Sequence, residues 1–194
     1  QGIETEWVHE VAMPHPVLFF DEICFTHDEY RDFIKEYPAV SGILDQIAVV
    51  RKSTVSVDLN FIQWYYKDQF DQTAYQALLQ FDHWKFPIEK YKLFALDKWK
   101  SFTQQMLEHE GKVYIVDSAI FQYQIFRFLF ENKSCEELQD FVSQIEKILS
   151  PLHPSLLFLY RENTEAAIDY LEKDRGTAYL EYLYQRDKNQ LYYR

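Results

Sequence analysis

At 194 residues, with 47% hydrophobic and 26% charged side chains, the chain suffices for one sizeable core or one domain with a subdomain. With 20 Lys and Arg against 31 Asp and Glu, the formal net charge is −11, which argues against a nucleic-acid backbone as main partner but leaves room for a small phosphate ligand on a local cluster of cations. No apolar run approaches a membrane span, no signal peptide is visible, and Cys24 and Cys135 lack metal or disulfide spacing, so a reducing cytoplasmic setting is expected.

Ile3–His9 alternates Ile3, Thr5 and Trp7 with polar positions and predicts a strand, with Gly2 ending a preceding helix. Glu10 follows the strand, and Pro14-His15-Pro16 forces an irregular turn. Thr26-x-x-Glu29 is a capping box. It opens a helix with Tyr30, Phe33, Ile34 and Tyr37 on its apolar face, stopped by Pro38. Ser41–Val50 predicts a short helix. Arg51–Asn60, where Val55 and Val57 alternate with Ser, also admits an extended reading. Phe61–Phe81 reads mainly as helix, and after Pro87 a longer helix runs from Ile88 to Glu110. About residues 20–110 therefore read as an all-helical aromatic block, and rings at helical spacing are core rather than a stacking platform.

Gly111 then precedes Val113-Tyr114-Ile115-Val116, a continuous apolar run that predicts a strand buried on both faces, as in a parallel sheet. Ile120–Phe130 predicts a buried helix. Ser134-x-x-Glu137 opens an amphipathic one carrying Leu138, Phe141, Val142, Ile145, Ile148 and Leu149, ended by Pro151 and Pro154. Leu156–Tyr160 predicts another buried strand, Thr164–Asp174 a helix closed by Arg175-Gly176, and the tyrosine-rich tail is helical at first. The order is that of an α/β fold: a parallel sheet with helices on both faces and a helical insertion.

Parallel strands would gather three polar tips on one edge: Glu10 with His15, Asp117 with Gln122, and Arg161 with Glu162. An acid at such an edge suits magnesium, held directly or through water. Alone, an acid in the place of Asp117 is more often the cap of the following helix, here one beginning near Ala119. Arginines suit phosphate, and Arg175 would be a second clamp, although each arginine singly reads as a solvated surface charge. His9, His27, His83, His109 and His153 are scattered and carry no assigned role.

Four stretches resemble the nucleoside and nucleotide kinase branch of the P-loop NTPases, of thymidylate kinase type. QGIETEWVHE is similar to the strand after the phosphate-loop helix, and KVYIVDSAIFQ to the strand ending in the family's Asp. LHPSLLFLYRENTEAAIDYLEKDRG resembles the strand, helix and arginine that lead into the lid, and the aromatic block matches the acceptor-covering region. The resemblance implies one kinase-like domain over residues 1–194 and an ATP- and Mg2+-dependent phosphotransferase acting on a small molecule. Asp117 would place magnesium, through a water, or activate the acceptor hydroxyl. Glu10, His15, Gln122 and Arg161 would bind the acceptor, and Arg175 would stabilise the transferring phosphoryl. The four glycines, Gly2, Gly42, Gly111 and Gly176, form no phosphate loop. The family's loop and the central strand before it are missing, so the chain is expected to be a fragment, inactive as it stands, with a slot of unpaired backbone in its sheet. A non-catalytic ligand-binding or regulatory module on the same scaffold is the alternative, and an all-helical interaction protein is a third.

Overall fold

The computed structural model describes Gly2, residues 4–109 and residues 111–193. The first strand, β1, is Glu4–Val8. Ile3, its expected start, lies outside the described residues. A proline-rich segment with a cis Met13–Pro14 peptide leads to β2, Glu22–Thr26. The Thr26 capping box forms as expected: Thr26 Oγ1 accepts from the Glu29 N–H at 3.2 Å, and Glu29 accepts from the Thr26 N–H at 2.8 Å. It opens α1, His27–Glu36. Pro38 does more than stop α1. It enters the first turn of α2, Pro38–Ile47, where a missing N–H leaves no bond unmade.

The expected all-helical block contains an antiparallel sheet. β3 (Val49–Val50) and β2 flank β4 (Thr54–Asp58) in the order β2-β4-β3. The cause is visible in the pairing. Ile23 opposite Val57 and Phe25 opposite Val55 present one apolar face, while Glu22 opposite Asp58 and Cys24 opposite Ser56 present the other. Both faces are covered, so β2 shows no alternation in exposure and gave no period-2 signal. The reading of residues 20–110 as helix is corrected here, and with it the all-helical alternative.

Leu59–Phe61 forms α3 and runs into a π-helical turn over Ile62–Tyr66. α4 is Gln72–Leu78, and α5 spans Ile88–Leu107. Glu110, the expected end of α5, lies outside the described residues. β5, Lys112–Val116, follows the positive-φ turn at Gly111 and pairs with β1 in parallel, Glu4 with Lys112 through Val8 with Val116. α6 is Gln122–Phe130 and α7 is Cys135–Leu149, the latter opened by the Ser134 capping box. α8 (Thr164–Arg175) and α9 (Thr177–Asp187) close the chain.

Two further expectations about the parallel sheet are corrected. Leu156–Tyr160 forms no strand, and its side chains are 60–93% exposed. A strand exists only through hydrogen bonds to a neighbour, and β5 is paired on the β1 side alone among the described residues. Nor is β5 buried on both faces. The parallel register puts Glu6, Val8, Tyr114 and Val116 on one face, toward Phe102 of α5, whose ring lies 6.3 Å from that of Tyr114. Trp7, Val113 and Ile115 share the other face and are largely exposed.

The fold is α/β, with a two-stranded parallel sheet and a three-stranded antiparallel one. Two apolar clusters fill it. Ile23, Phe25, Phe33, Leu44, Val55 and Ile62 pack between the antiparallel sheet and α1, α2 and α4. Tyr91, Phe94, Trp99, Phe102, Phe128 and Phe141 pack α5 against α6 and α7. No helix among the described residues is long and apolar enough to cross a membrane.

Candidate functional site: a carboxyl rim and a cavity beside α5

Two of the three expected strand tips meet. Pairing of β1 with β5 continues one residue past the strands, with the Asp117 N–H donating to the Val8 carbonyl at 3.0 Å. Asp117 therefore leaves the sheet beside the end of β1. Ser118, in a left-handed conformation, turns the chain, and its hydroxyl donates to Asp117 Oδ1 at 3.0 Å. α6 begins at Gln122, whose Nε2 donates to Glu10 Oε1 at 2.7 Å across 112 residues of sequence. Glu10, Asp117 and Gln122 thus lie around the carboxyl ends of two parallel strands. Such an edge is where open α/β sheets bind ligands.

The third tip is elsewhere in its contacts. Arg161 is exposed and stacks on Tyr170 at 5.0 Å, and Arg175 is exposed and stacks on Tyr179 at 5.0 Å. Neither forms a hydrogen bond or ion pair with the rim among the described residues. The segment nevertheless passes close by, since the Phe158 ring is 6.0 Å from that of Phe121, just before α6.

His15 leads to a second feature. It is 2% exposed, and its Nδ1 accepts the backbone N–H groups of Val17 (3.1 Å) and Leu18 (2.9 Å). Burial, with the Lys98 ammonium nearby, lowers its pKa to about 4. The ring is therefore neutral at pH 7, and with Nδ1 accepting, the proton sits on Nε2. That buried Nε2–H has no partner.

His15 faces a cavity of about 440 Å³ between the polar face of the antiparallel sheet and α5. Glu22, Ser56 and Asp58 come from the sheet, and Ser101, Phe102 and Gln105 from α5. Glu22 is 5% exposed. Its Oε1 receives Lys98 Nζ at 2.6 Å, and its Oε2 is buried without a partner. Lys98 also donates to the Leu18 carbonyl at 2.6 Å. Burial pulls the Lys98 pKa down while Glu22 pulls it back up. Arg51, from the turn between β3 and β4, donates Nη1 to Ser56 Oγ at 2.8 Å. No carboxylate among the described residues pairs with it.

Sequence reasoning found His15 but missed Glu22, Arg51 and Lys98. Glu22 carried a usable signal: an acid opening the apolar run Ile23-Cys24-Phe25 must face a partner. A lysine inside a long helix carries none, because it reads as part of the wet face.

As a metal site the rim offers two carboxylates, of which Glu10 is already held by Gln122 and Asp117 is the one left for a metal. Among the described residues, no group of three or more His, Cys, Asp and Glu side chains is placed to hold a metal. One carboxylate with waters and nucleotide oxygens is a donor set that magnesium accepts, so Asp117 fits that ion only in company with a phosphate ligand. No family model, curated protein or solved structure matches the chain.

Proposed function

We propose that these residues form the acceptor side of a small-molecule phosphotransferase of kinase type, on a P-loop NTPase-like scaffold, using ATP and magnesium in the cytoplasm. The observation that carries this reading is the meeting of Glu10, Asp117 and Gln122 at the carboxyl ends of a parallel strand pair. Magnesium, when bound with nucleotide, would supply charge neutralisation of the phosphates. Asp117 would hold it, through water, and orient the acceptor hydroxyl. Glu10 and Gln122, already hydrogen-bonded to each other, would fix the acceptor at the rim, and the cavity would take its body. Arg161 and Arg175 would reach the phosphates only by leaving their tyrosines. The phosphate-binding loop would have to come from residues outside these 194, because no Gly-rich loop occurs within them.

The cavity favours a second reading as well. Its polar lining residues, among them His15, Glu22, Arg51 and Ser56, are distinct from those of the rim, as in a non-catalytic ligand-binding module. ADP release by the complete protein separates the two. With ATP, magnesium and a panel of hydroxyl and phosphate acceptors, the enzyme reading predicts acceptor-stimulated ADP formation that Asp117→Asn lowers roughly a hundredfold. No stimulation by any acceptor would leave the binding module.

A further inference from the structure

His83 sits in a 3-10 turn, His83–Lys85, just before α5, and is 2% exposed. Its ring stacks on Phe19 at 5.2 Å. Nε2 lies 2.7 Å from the Tyr123 hydroxyl of α6, and that hydroxyl donates to the Phe19 carbonyl at 2.9 Å. A carbonyl only accepts, so the Tyr123 proton is used there, and the Tyr123 oxygen takes its second bond from a proton on Nε2. Nδ1 lies 3.3 Å from Asp82 Oδ1 and has no hydrogen bond. A lone pair on Nδ1 would face a carboxylate away from water. A second ring proton there turns that repulsion into a charge-assisted hydrogen bond. Only the imidazolium satisfies Asp82, Tyr123 and Phe19 together. The other charged groups nearby are engaged elsewhere. Lys85 donates to the Leu79 carbonyl at 2.7 Å. Arg127, beside the Trp84 ring, donates to Glu131 and to the Phe86 carbonyl. Lys98 lies over the Phe19 ring and is paired with Glu22. Burial pushes the Cys24 thiol and the Tyr91 and Tyr123 hydroxyls above their ordinary range, so all three stay neutral. Burial also pushes the Asp82 carboxyl up, but His83 and the Trp84 N–H outweigh it and hold it below the ordinary range.

We propose that His83 is a proton-operated latch joining three segments: its own turn, the start of α6, and residues 14–20, of which Pro14 and Pro16 line the cavity. As the imidazolium it bonds Asp82 through Nδ1–H and Tyr123 through Nε2–H. When it gives a proton to solvent, the proton left on the ring stays on Nδ1, where Asp82 holds it. Nε2 is then an acceptor. The Tyr123 hydroxyl turns to it and leaves the Phe19 carbonyl without a donor. Phe19 is 2% exposed, so its freed carbonyl gains little from water, and residues 14–20 loosen against α6. Tyr123 follows Gln122 in sequence, so the latch also holds the helix start that carries one side of the rim. It operates whether or not phosphate is transferred there.

The test is NMR of the isotopically labelled protein from about pH 5.5 to about pH 9, which brackets histidine titration while His15 stays neutral. The His83 ring carbons should titrate within that range. The Phe20 amide, whose peptide carries the Phe19 carbonyl, and the Tyr123 amide should move with the same midpoint. Above the midpoint the ring nitrogen shifts should place the remaining proton on Nδ1. Two variants separate the parts. Asp82→Asn keeps a side-chain acceptor for the Trp84 N–H and removes the charge, so the His83 midpoint should fall by at least about one pH unit. Tyr123→Phe removes the hydroxyl, so His83 should still titrate while the Phe20 amide no longer follows it. A native-like spectrum shows that each variant is folded, and the wild-type titration decides on its own where one is not. A His83 ring that does not titrate, amides that do not follow it, or a neutral ring protonated on Nε2 would overturn the proposal. So would an unmoved midpoint in folded Asp82→Asn, or a Phe20 response that survives in folded Tyr123→Phe.

Discussion

Lys98 and Glu22 meet at 2.6 Å where their side chains are 1% and 6% exposed. A buried pair of this kind is poor evidence for net stability, because desolvation offsets the attraction, yet breaking it by half strands a charge. Lys98→Met is expected to destabilise the fold by about 3–5 kcal/mol, and the double change Lys98→Met with Glu22→Leu to recover most of that loss. Urea unfolding of the wild type and the two variants checks it; a double mutant no better than the single would show that Glu22 serves the fold in another way. His15 makes a second prediction at this scale. Its folded pKa of about 4 lies below the ordinary 6.5, so the unfolded chain takes up its proton first. Its contribution is intact above pH 6.5, is lost progressively as the pH falls toward 4, and amounts to about 3 kcal/mol at most. His15→Asn should flatten that part of the stability profile, measured as urea midpoints between pH 7 and pH 4. His15 was legible because two prolines single it out. Lys98 and Arg51 were not, because nothing in their local sequence marks a cation as buried or as facing a cavity.

At the scale of elements, what could be read was what local chemistry decides. Both capping boxes, at Thr26 and Ser134, open helices where their hydroxyls and glutamates place them. The amphipathic run after Ser134 is α7, with Phe141, Ile145 and Leu149 buried. What could not be read was what a distant neighbour decides. β2 and β4 exist because each covers the other, and the run Glu22–Thr26 lacks alternation since both its faces are packed. Leu156–Tyr160 is the converse case: five apolar residues, among them the most exposed leucines of the structure, without a strand to pair with. Its backbone makes no hydrogen bond among the described residues, unlike that of β5. Amides of residues 156–160 are therefore expected to exchange with solvent far faster than those of 113–116, as read by hydrogen–deuterium exchange. Equal protection of the two segments would mean that 156–160 is paired after all.

At the scale of the molecule, α5 holds the two sheets in register with each other. Asp97 accepts the Thr54 hydroxyl at 2.7 Å and the Ser53 N–H at 3.2 Å, tying α5 to β4. One turn on, Phe102 lies against both the cavity and Tyr114 of β5. Pro14, Pro16, Phe102 and Gln105 line the cavity, and they also line a smaller cleft of about 270 Å³ beside Trp7 and Val8 of β1, the strand whose carboxyl end forms the rim. The phosphotransfer proposal joins cavity and rim along this wall, with the body of a small molecule in the cavity and its reacting end at the rim. Calorimetric titration of an ATP analogue into the complete protein, with and without magnesium, tests that account most directly. Nucleotide binding that requires magnesium and weakens at least about tenfold in Asp117→Asn is the predicted result. Binding that is indifferent to magnesium, or equally tight in the mutant, would contradict it.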